Sequence, residues 1–548
     1  MERDWFDQLE QTASRPLKVA RQRLCVVVAL CLGCFLIVGI RIVYLSWPAD
    51  ISLPGIARQD NPVSTLHSDP ARPAFPHAIY DRSGVLVAGN IETAGLYANP
   101  KQLIHDPHEI ADQLQAIIPD LDAERTKNLL SSQRQFVWLH RKLSPQQQLA
   151  VNQLGIPGLE FETLMVRLYP HRDLFSHLIG FRDLDGQGLA GIEKAYGPEL
   201  LQGEGPLMLT ADLRAQHVLH SELGRAVEHY QAKGGVAILL DVQKGDVLAM
   251  VSLPDFNPNR PKDSPTHHQF SRATVGRYEL GSVFKVFNTA IALDTKIGLA
   301  KRFDASKPMR VSRHLIHDYR PKNRWLSVPE VFIYSSNIGS ARMMMQYGGA
   351  LQKAYFERLG LLEILDIRLH ERARPTGPAS WREINHITAS YGHGIAVTPL
   401  HFTAAFASAI NGGYKIVPRF VISDPLPVEG RELIFKAGTV KRMRALLRLN
   451  TMVGSGKGAD IAGLRIGGKT GTADKIADHG GYDGSRLISS FIAGFPIDDP
   501  RYALFVLVDE PKMPDESRLR PTGGVVAAPL AGRIIERIAP VLGVGADR

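Results

Sequence analysis

The spacing of apolar positions changes along the chain, and each change predicts an element. "AIYDRSGVLVAGN" (Ala78–Asn90) reads as a strand, a turn at Asp81–Gly84 and a second strand. His108–Gln133 carries apolar residues at helical spacing, broken at Pro119, and Leu143–Gly158 opens on Ser-Pro, a helix start, and stops at Gly155. Ala211–Gly235 predicts an amphipathic helix ended by paired glycines. It runs into "VAILLDVQKGDVLAMVSLP", two β-rich segments that predict a hairpin around Lys244-Gly245. Leu487–Phe495 and Tyr502–Glu510 predict a further antiparallel pair around Pro496–Pro500, and Gly523–Leu542 a last helix; between these pairs, 282–410 is helix-rich. Helix, strands, a long helical insert, strands and helix imply an α+β fold, an antiparallel sheet covered by helices. The pattern divides the body into a smaller mixed α and β support module, 77–206, and a larger unit, 207–548.

The N-terminus has a different pattern. Leu24–Ile40 carries no charge, and after Arg41 the apolar run continues to Trp47. As a helix, 24–47 would extend ~36 Å, against a hydrocarbon core of ~30 Å. Arg41 can snorkel, Tyr44 and Trp47 suit the interface, and no small-x-small cleavage site follows. The expectation is an uncleaved single-pass anchor. Arg15, Lys18, Arg21 and Arg23 keep residues 1–23 in the cytoplasm and export everything after the span. Residues 48–76, rich in Pro, Ser, Asp and Ala, read as a tether. All three cysteines (Cys25, Cys31, Cys34) lie within the span, so the exported part has no thiol to oxidise.

Composition alters little. The 548 residues carry a formal charge of +9, modest for the length, and no basic helix or aromatic-basic cluster suggests a nucleic-acid partner.

Candidate chemistry begins with an ambiguity. "GLRIGGKT" (Gly463–Thr470) fits the phosphate-binding loop pattern, yet Lys469-Thr470-Gly471 is also the third signature of penicillin-interactive serine enzymes. A phosphate loop needs a helix beginning at its Lys-Thr, whereas "GTADKIADHGGYDGSR" follows here, and an exported domain meets no ATP pool. Upstream, "YELGSVFKVFNTAIALD" supplies Ser282 and Lys285 as an S-x-x-K at a helix start, and "FIYSSNIG" supplies Ser335 and Asn337 as an S-x-N in a short loop between helices. Singly these patterns are commonplace; in this order and at these intervals they are specific.

The residue types fit acyl transfer. A serine hydroxyl needs a base, and a lysine at its reference pKa is neutral in only about one copy in 2,500 at pH 7. Burial and a second cation favour the neutral amine, so Lys285 is the candidate base for Ser282 and Lys469 the candidate cation. Ser335 can pass a proton to the leaving amine, and Asn337 can hold a substrate amide and orient Lys285. The backbone N–H groups of Ser282 and of the residue after Gly471 can stabilise an oxyanion. Gly471 leaves room for a substrate beside the strand, and Lys469, Thr470 and Thr472 can bind a carboxylate.

These motifs, with "IYDRSG", "SHLIGF", "GQGLAGIEKAYG", "HDYR", "VPEVFIYSSNIG", "SFIAGFP" and "PRYALFVLVDEPK", resemble the class B penicillin-binding proteins, most closely the division-specific FtsI-type D,D-transpeptidases of α-proteobacterial form. The resemblance implies a transpeptidase domain with the penicillin-binding and serine β-lactamase-like fold (207–548) behind the anchor and a dimerisation-type pedestal (77–206). It also implies an acyl-enzyme on Ser282 formed from a stem pentapeptide with loss of D-Ala, transfer to an amine of a neighbouring stem, and acylation by β-lactams. Implied partners are a lipid II-polymerising glycosyltransferase of the SEDS class and divisome proteins; no metal, nucleotide or other cofactor is implied. Val283 stands where many relatives carry Thr, and "FPHA" replaces the arginine that usually opens the pedestal signature. An elongation-type transpeptidase, a β-lactamase and a non-enzymatic penicillin sensor carry related motifs; the anchor and pedestal weigh against the β-lactamase. His267-His268 and His314/His317 read as loop and packing histidines, with no third ligand beside either pair.

Overall fold

The computed structural model describes residues 28–39 and 75–545, apart from 184, 296, 313, 427–430, 477–480 and 515–518. Residues 28–39 are helical and belong to a unit spanning Met1–Pro73. Among the described residues no helix is long and apolar enough to cross a membrane; the rest of the predicted span, the tail and all but the end of the tether lie outside them.

The second unit, Ala74–Arg548, opens with a sheet built on one long strand. β1 (Ile79–Tyr80) turns back into β2 (Leu86–Ala98), which pairs antiparallel with both β3 (Val137–Leu143) and β4 (Leu159–Leu168). β5 (Leu207–Met208), just past the predicted boundary at 206, joins the same sheet parallel to β1. Helices Pro107–Ile117, Ala123–Leu130 and Pro145–Gln153 cover β2 and β3 through Leu96, Ile110, Leu114, Leu130 and Val137. Each starts at a side-chain cap (Asp106, Asp122, Ser144), and Pro119 lies in the break between the first two, as its missing N–H requires.

Two buried carboxylates tie this sheet to its surroundings. Asp81 Oδ1 accepts from the N–H groups of Ser83 and Val85, each at 2.8 Å, and its Oδ2 accepts from Leu213 N at 2.9 Å, at the start of the helix Leu213–His229. Glu193 is fully buried between Arg167, 2.7 Å away, and Arg182.

The larger sheet contains β6 (Gly234–Asp241) and β7 (Val247–Leu253), the predicted hairpin. The helical insert that follows also carries four short strands not predicted: β8 (Arg302–Asp304), β9 (Met309–Val311), β10 (His314–Ile316) and β11 (Trp325–Ser327), paired as β8 with β11 and β9 with β10. β12 (Gly467–Ile476), β13 (Tyr482–Phe495) and β14 (Tyr502–Asp509) complete an antiparallel order β12-β13-β14-β6-β7.

The inner strands β13, β14 and β6 are apolar over most of their length because helices bury both faces. Val236, Ile238 and Leu240 point to the side of helices Lys285–Asp294 and Pro399–Ser408; Ala237 and Leu239 point to helices Leu213–His229 and Ala527–Ile538. One boundary differs from expectation. The helix predicted to end at paired glycines stops at His229, and Gly234-Gly235 begin β6. A Cβ on Gly235 would lie 2.8 Å from Leu223 Cδ1 and 2.9 Å from Leu507 O, so that glycine lets helix and sheet approach rather than ending the helix.

Candidate active site

Gly281–Phe284 forms a 3-10 turn that runs directly into the helix Lys285–Asp294, so Ser282 stands one turn ahead of the α-helix. The turn is pressed against the edge strand β12 and the loop at Gly392. A Cβ on Gly281 (φ +59°) would overlap Thr472 O, one on Gly392 (φ +83°) would overlap Gly281 O, and one on Gly471 would overlap Leu280 O and Ser490 Oγ. The space beside Gly471, read from sequence as room for substrate, is filled by the main chain of the Ser282 turn.

Lys285, three residues on, turns its amine back toward Ser282. Its Nζ lies 3.1 Å from Ser282 Oγ, 2.5 Å from Ser335 O, 3.2 Å from Ser335 Oγ and 2.7 Å from Asn337 Oδ1. Burial pushes its pKa well below the ordinary lysine value; the Lys469 charge adds to this, and Asp318 opposes it. A neutral amine offers a lone pair as well as N–H donors, so Ser282 can donate to it.

Ser335 joins helices Val328–Ile333 and Asn337–Tyr347 with φ +56°, an uncommon conformation for a residue with a Cβ. Its carbonyl and hydroxyl both meet Lys285, and the same hydroxyl accepts from Lys469 Nζ at 3.0 Å. Asn337 is held by its other side: its Nδ2 donates to His317 O at 3.0 Å, leaving Oδ1 for Lys285. The structure therefore gathers Ser282, Lys285, Ser335, Asn337 and Lys469 around one hydroxyl pair.

Lys469 is fully buried on β12, its ammonium bonded to Ser335 Oγ and, at 3.2 Å, to Thr470 O. Thr470 Oγ1 and Ser455 Oγ share a hydrogen bond of 2.6 Å, and Thr472 Oγ1 accepts from Gly523 N at 3.0 Å. Of the three groups expected to grip a carboxylate, the half-buried Thr472 keeps surface, while Lys469 stands behind as a source of charge. Burial lowers Lys469 to about 7. Between that value and the unfolded reference near ~10.4, the unfolded chain binds a proton at this lysine that the folded chain does not. Wild-type protein should therefore gain stability relative to Lys469→Met as pH rises from about 7 to about 10. Denaturant midpoints of the two proteins across that range measure it, and parallel curves would refute the shift.

Sequence reasoning missed the supports. Asp318 Oδ1 accepts from Asn337 N at 2.6 Å and Ile338 N at 3.0 Å, and its Oδ2 accepts from Ser336 Oγ at 2.7 Å. An acid at a helix N-terminus is favoured by the exposed N–H groups there, and this one fixes the helix that carries Asn337. Its signal was "HDYR", part of the family resemblance to which no role was attached. Ser455 and Asn450, which donates from Nδ2 to Gly468 O at 2.8 Å, brace β12 and had no sequence signal.

Among the described residues neither histidine pair falls in a cluster with metal-ligand spacing. Among the described residues the cluster with ligand spacing is Asp173, His220 and Asp255, all ligand atoms within 4.8 Å, where His220 Nε2 already bonds Asp255 Oδ2 at 2.8 Å. A cavity of about 640 Å³ against the helix Ala437–Val453 contains none of the predicted site residues.

Residues 235–536 match the penicillin binding protein transpeptidase domain. The chain belongs to that family. This penicillin-binding protein also matches the penicillin-binding protein dimerisation domain over residues 77–206. It is 38% identical, over 85% of its length and 81% of the relative's, to the probable peptidoglycan D,D-transpeptidase FtsI of Caulobacter vibrioides. It is 28% identical to the peptidoglycan D,D-transpeptidase FtsI of Escherichia coli, over 86% of its own length and 84% of the relative's. Stage V sporulation protein D of Bacillus subtilis is likewise 28% identical, over 96% of this chain and 86% of that protein. These similarities place the penicillin-binding protein in the FtsI-type class B group, with the α+β transpeptidase architecture expected of it.

Proposed function

We infer that this chain is a peptidoglycan D,D-transpeptidase of septal wall synthesis, working through an acyl-enzyme on Ser282. The observation that carries the site assignment is the single amine of Lys285 within bonding distance of Ser282 Oγ, Ser335 Oγ and Asn337 Oδ1. Lys285 takes the Ser282 proton as Oγ attacks the penultimate D-Ala carbonyl of the donor stem peptide. The N–H groups of Ser282 and Thr472 face the developing oxyanion. Ser335 relays the proton to the departing D-Ala nitrogen, Asn337 holds the donor's amide, and Thr470 and Thr472 hold its carboxylate under the field of Lys469. Gly471 keeps the strand against the nucleophile. β-Lactams enter the same site and acylate the same oxygen.

The apolar run 24–40 and the basic residues before it support a single-pass anchor in the inner membrane, with residues 1–23 cytoplasmic and the catalytic part periplasmic. The reading divides the rest into tether 48–76, pedestal 77–206 and transpeptidase domain 207–548. A SEDS-class glycosyltransferase and divisome proteins are the partners this role calls for.

Purified full-length protein in detergent should bind one equivalent of a labelled penicillin per chain and release it over hours, while a D-Ala-D-Ala donor should release its terminal D-Ala and pass its acyl group to an amine acceptor. Rapid repeated hydrolysis of the penicillin would instead make the chain a β-lactamase. Adduct without any transfer would leave a sensor.

A further inference from the structure

We propose that the loop Tyr319–Arg324, with Tyr334, docks the acceptor peptide and selects one that carries free carboxylates; this rests on the transpeptidase reading above. Between Lys301 and Arg324 the chain has eight lysines or arginines and two carboxylates, Asp304 and Asp318. Both are spent locally: Asp304 bonds Ser306, and Asp318 caps the helix that carries Asn337. Among the described residues the lysines and arginines of this stretch are exposed.

The loop leaves the active site directly. His317 O holds Asn337 and Asp318 holds Ser336–Ile338, so the next residue, Tyr319, emerges at the rim of the cleft, 61% exposed. Two aromatic rings carry cations there. Lys322 Nζ lies 4.5 Å from the ring centre of Tyr334, the neighbour of Ser335, and Arg320 lies 5.8 Å from that of Tyr319. Arg520 reaches the same Tyr319 ring, at 5.9 Å, from the opposite wall, where it bonds Asp474 at 2.8 Å. Arg324 is matched by Glu330 at 2.7 Å. Among the described residues Arg320 and Lys322 have no carboxylate partner, and both are exposed.

The donor's carboxylate is assigned to Thr470 and Thr472 on β12, so these cations lie across the cleft, beside Ser335 and Asn337. A second substrate must arrive while the donor acyl group still occupies Ser282. In that step the acceptor nitrogen forms a bond to the acyl carbon, the carbon–Oγ bond breaks, and the proton lost by the amine returns to Ser282 Oγ. Unmatched cations interleaved with aromatic faces suit an extended peptide with carboxylate side groups. Tyr319, Arg320, Lys322 and Arg324 are near neighbours in sequence, and the fold adds the Tyr334 ring to them.

The test uses the full chain in detergent, a D-Ala thioester donor, and two acceptors: a short peptide amine with two free carboxylates and its fully amidated form. In the double variant Arg320→Glu, Lys322→Glu the KM for the acidic acceptor should rise at least about tenfold with kcat little changed. The amidated acceptor and penicillin acylation should be unaffected. Raising salt should raise the wild-type KM for the acidic acceptor alone. Equal effects on both acceptors, or none, overturn the proposal. So does charge reversal that spares both acceptors and weakens flotation with anionic phosphatidylglycerol vesicles, which makes the patch a membrane contact. Absence of any acyl-enzyme in wild-type protein would instead sink the transpeptidase reading itself.

Discussion

Ser282→Ala is expected to abolish covalent labelling by a fluorescent penicillin and to abolish crosslinking of a D-Ala-D-Ala donor. The loss is complete rather than partial because the bond that defines the intermediate has no oxygen from which to form. Ser335 cannot substitute, since its hydroxyl is held between two lysines and its backbone is fixed at positive φ between two helices. The fold should be unmoved. Ser282 Oγ is bonded to Lys285 Nζ, and that amine keeps Ser335 and Asn337 when the hydroxyl is removed. A thermal midpoint like that of wild type, with no labelled band, is the outcome expected. A labelled band in the Ala variant would assign the nucleophile elsewhere and end the mechanism proposed.

Lys285→Gln should slow acylation by about a thousandfold, within the ~10²–10⁴ range for removing a positioned general base. Glutamine can donate to Asn337 Oδ1 or to Ser335 O but has no lone pair basic enough to take the Ser282 proton. The companion variant Lys285→Arg separates charge from basicity, because a guanidinium keeps the positive charge and does not deprotonate. If Lys285 acts as base, both variants are slow in stopped-flow acylation while still binding penicillin non-covalently. If it acts only through its charge, the Arg variant keeps most of the rate. Thermal midpoints show whether either protein has lost its core instead.

How far the sequence carried the reading depends on whether a feature is local. Ser282 and Lys285 share one helical turn, so their meeting follows from spacing alone. Ser335, Asn337 and Lys469 come from distant segments, and their convergence was legible through the order of the motifs and the family they resemble. The strands β6, β13 and β14 were legible as apolar runs because both faces are covered. The short strands of the insert were not, since three-residue strands among lysines and prolines have no period to detect. Asp318 was visible as a letter without a role: its task is to cap a helix that begins nineteen residues later, at Asn337. Lys469 shows the limit in the other direction. Its presence in the site was read from the motif, but a motif cannot say which way a side chain faces, and the buried ammonium turns inward to Ser335 rather than outward to a ligand.

The crowding of Gly281, Gly392 and Gly471 beneath the nucleophile has a consequence for drug escape. Ser282 rests on main chain, and main chain offers selection no side chain to exchange. Any substitution at those three positions adds a carbon where another backbone already lies. A lineage under penicillin pressure can therefore remodel only the walls of the cleft, among them Tyr319, Tyr334, Thr472 and Arg520, and every solution it finds must keep the same floor.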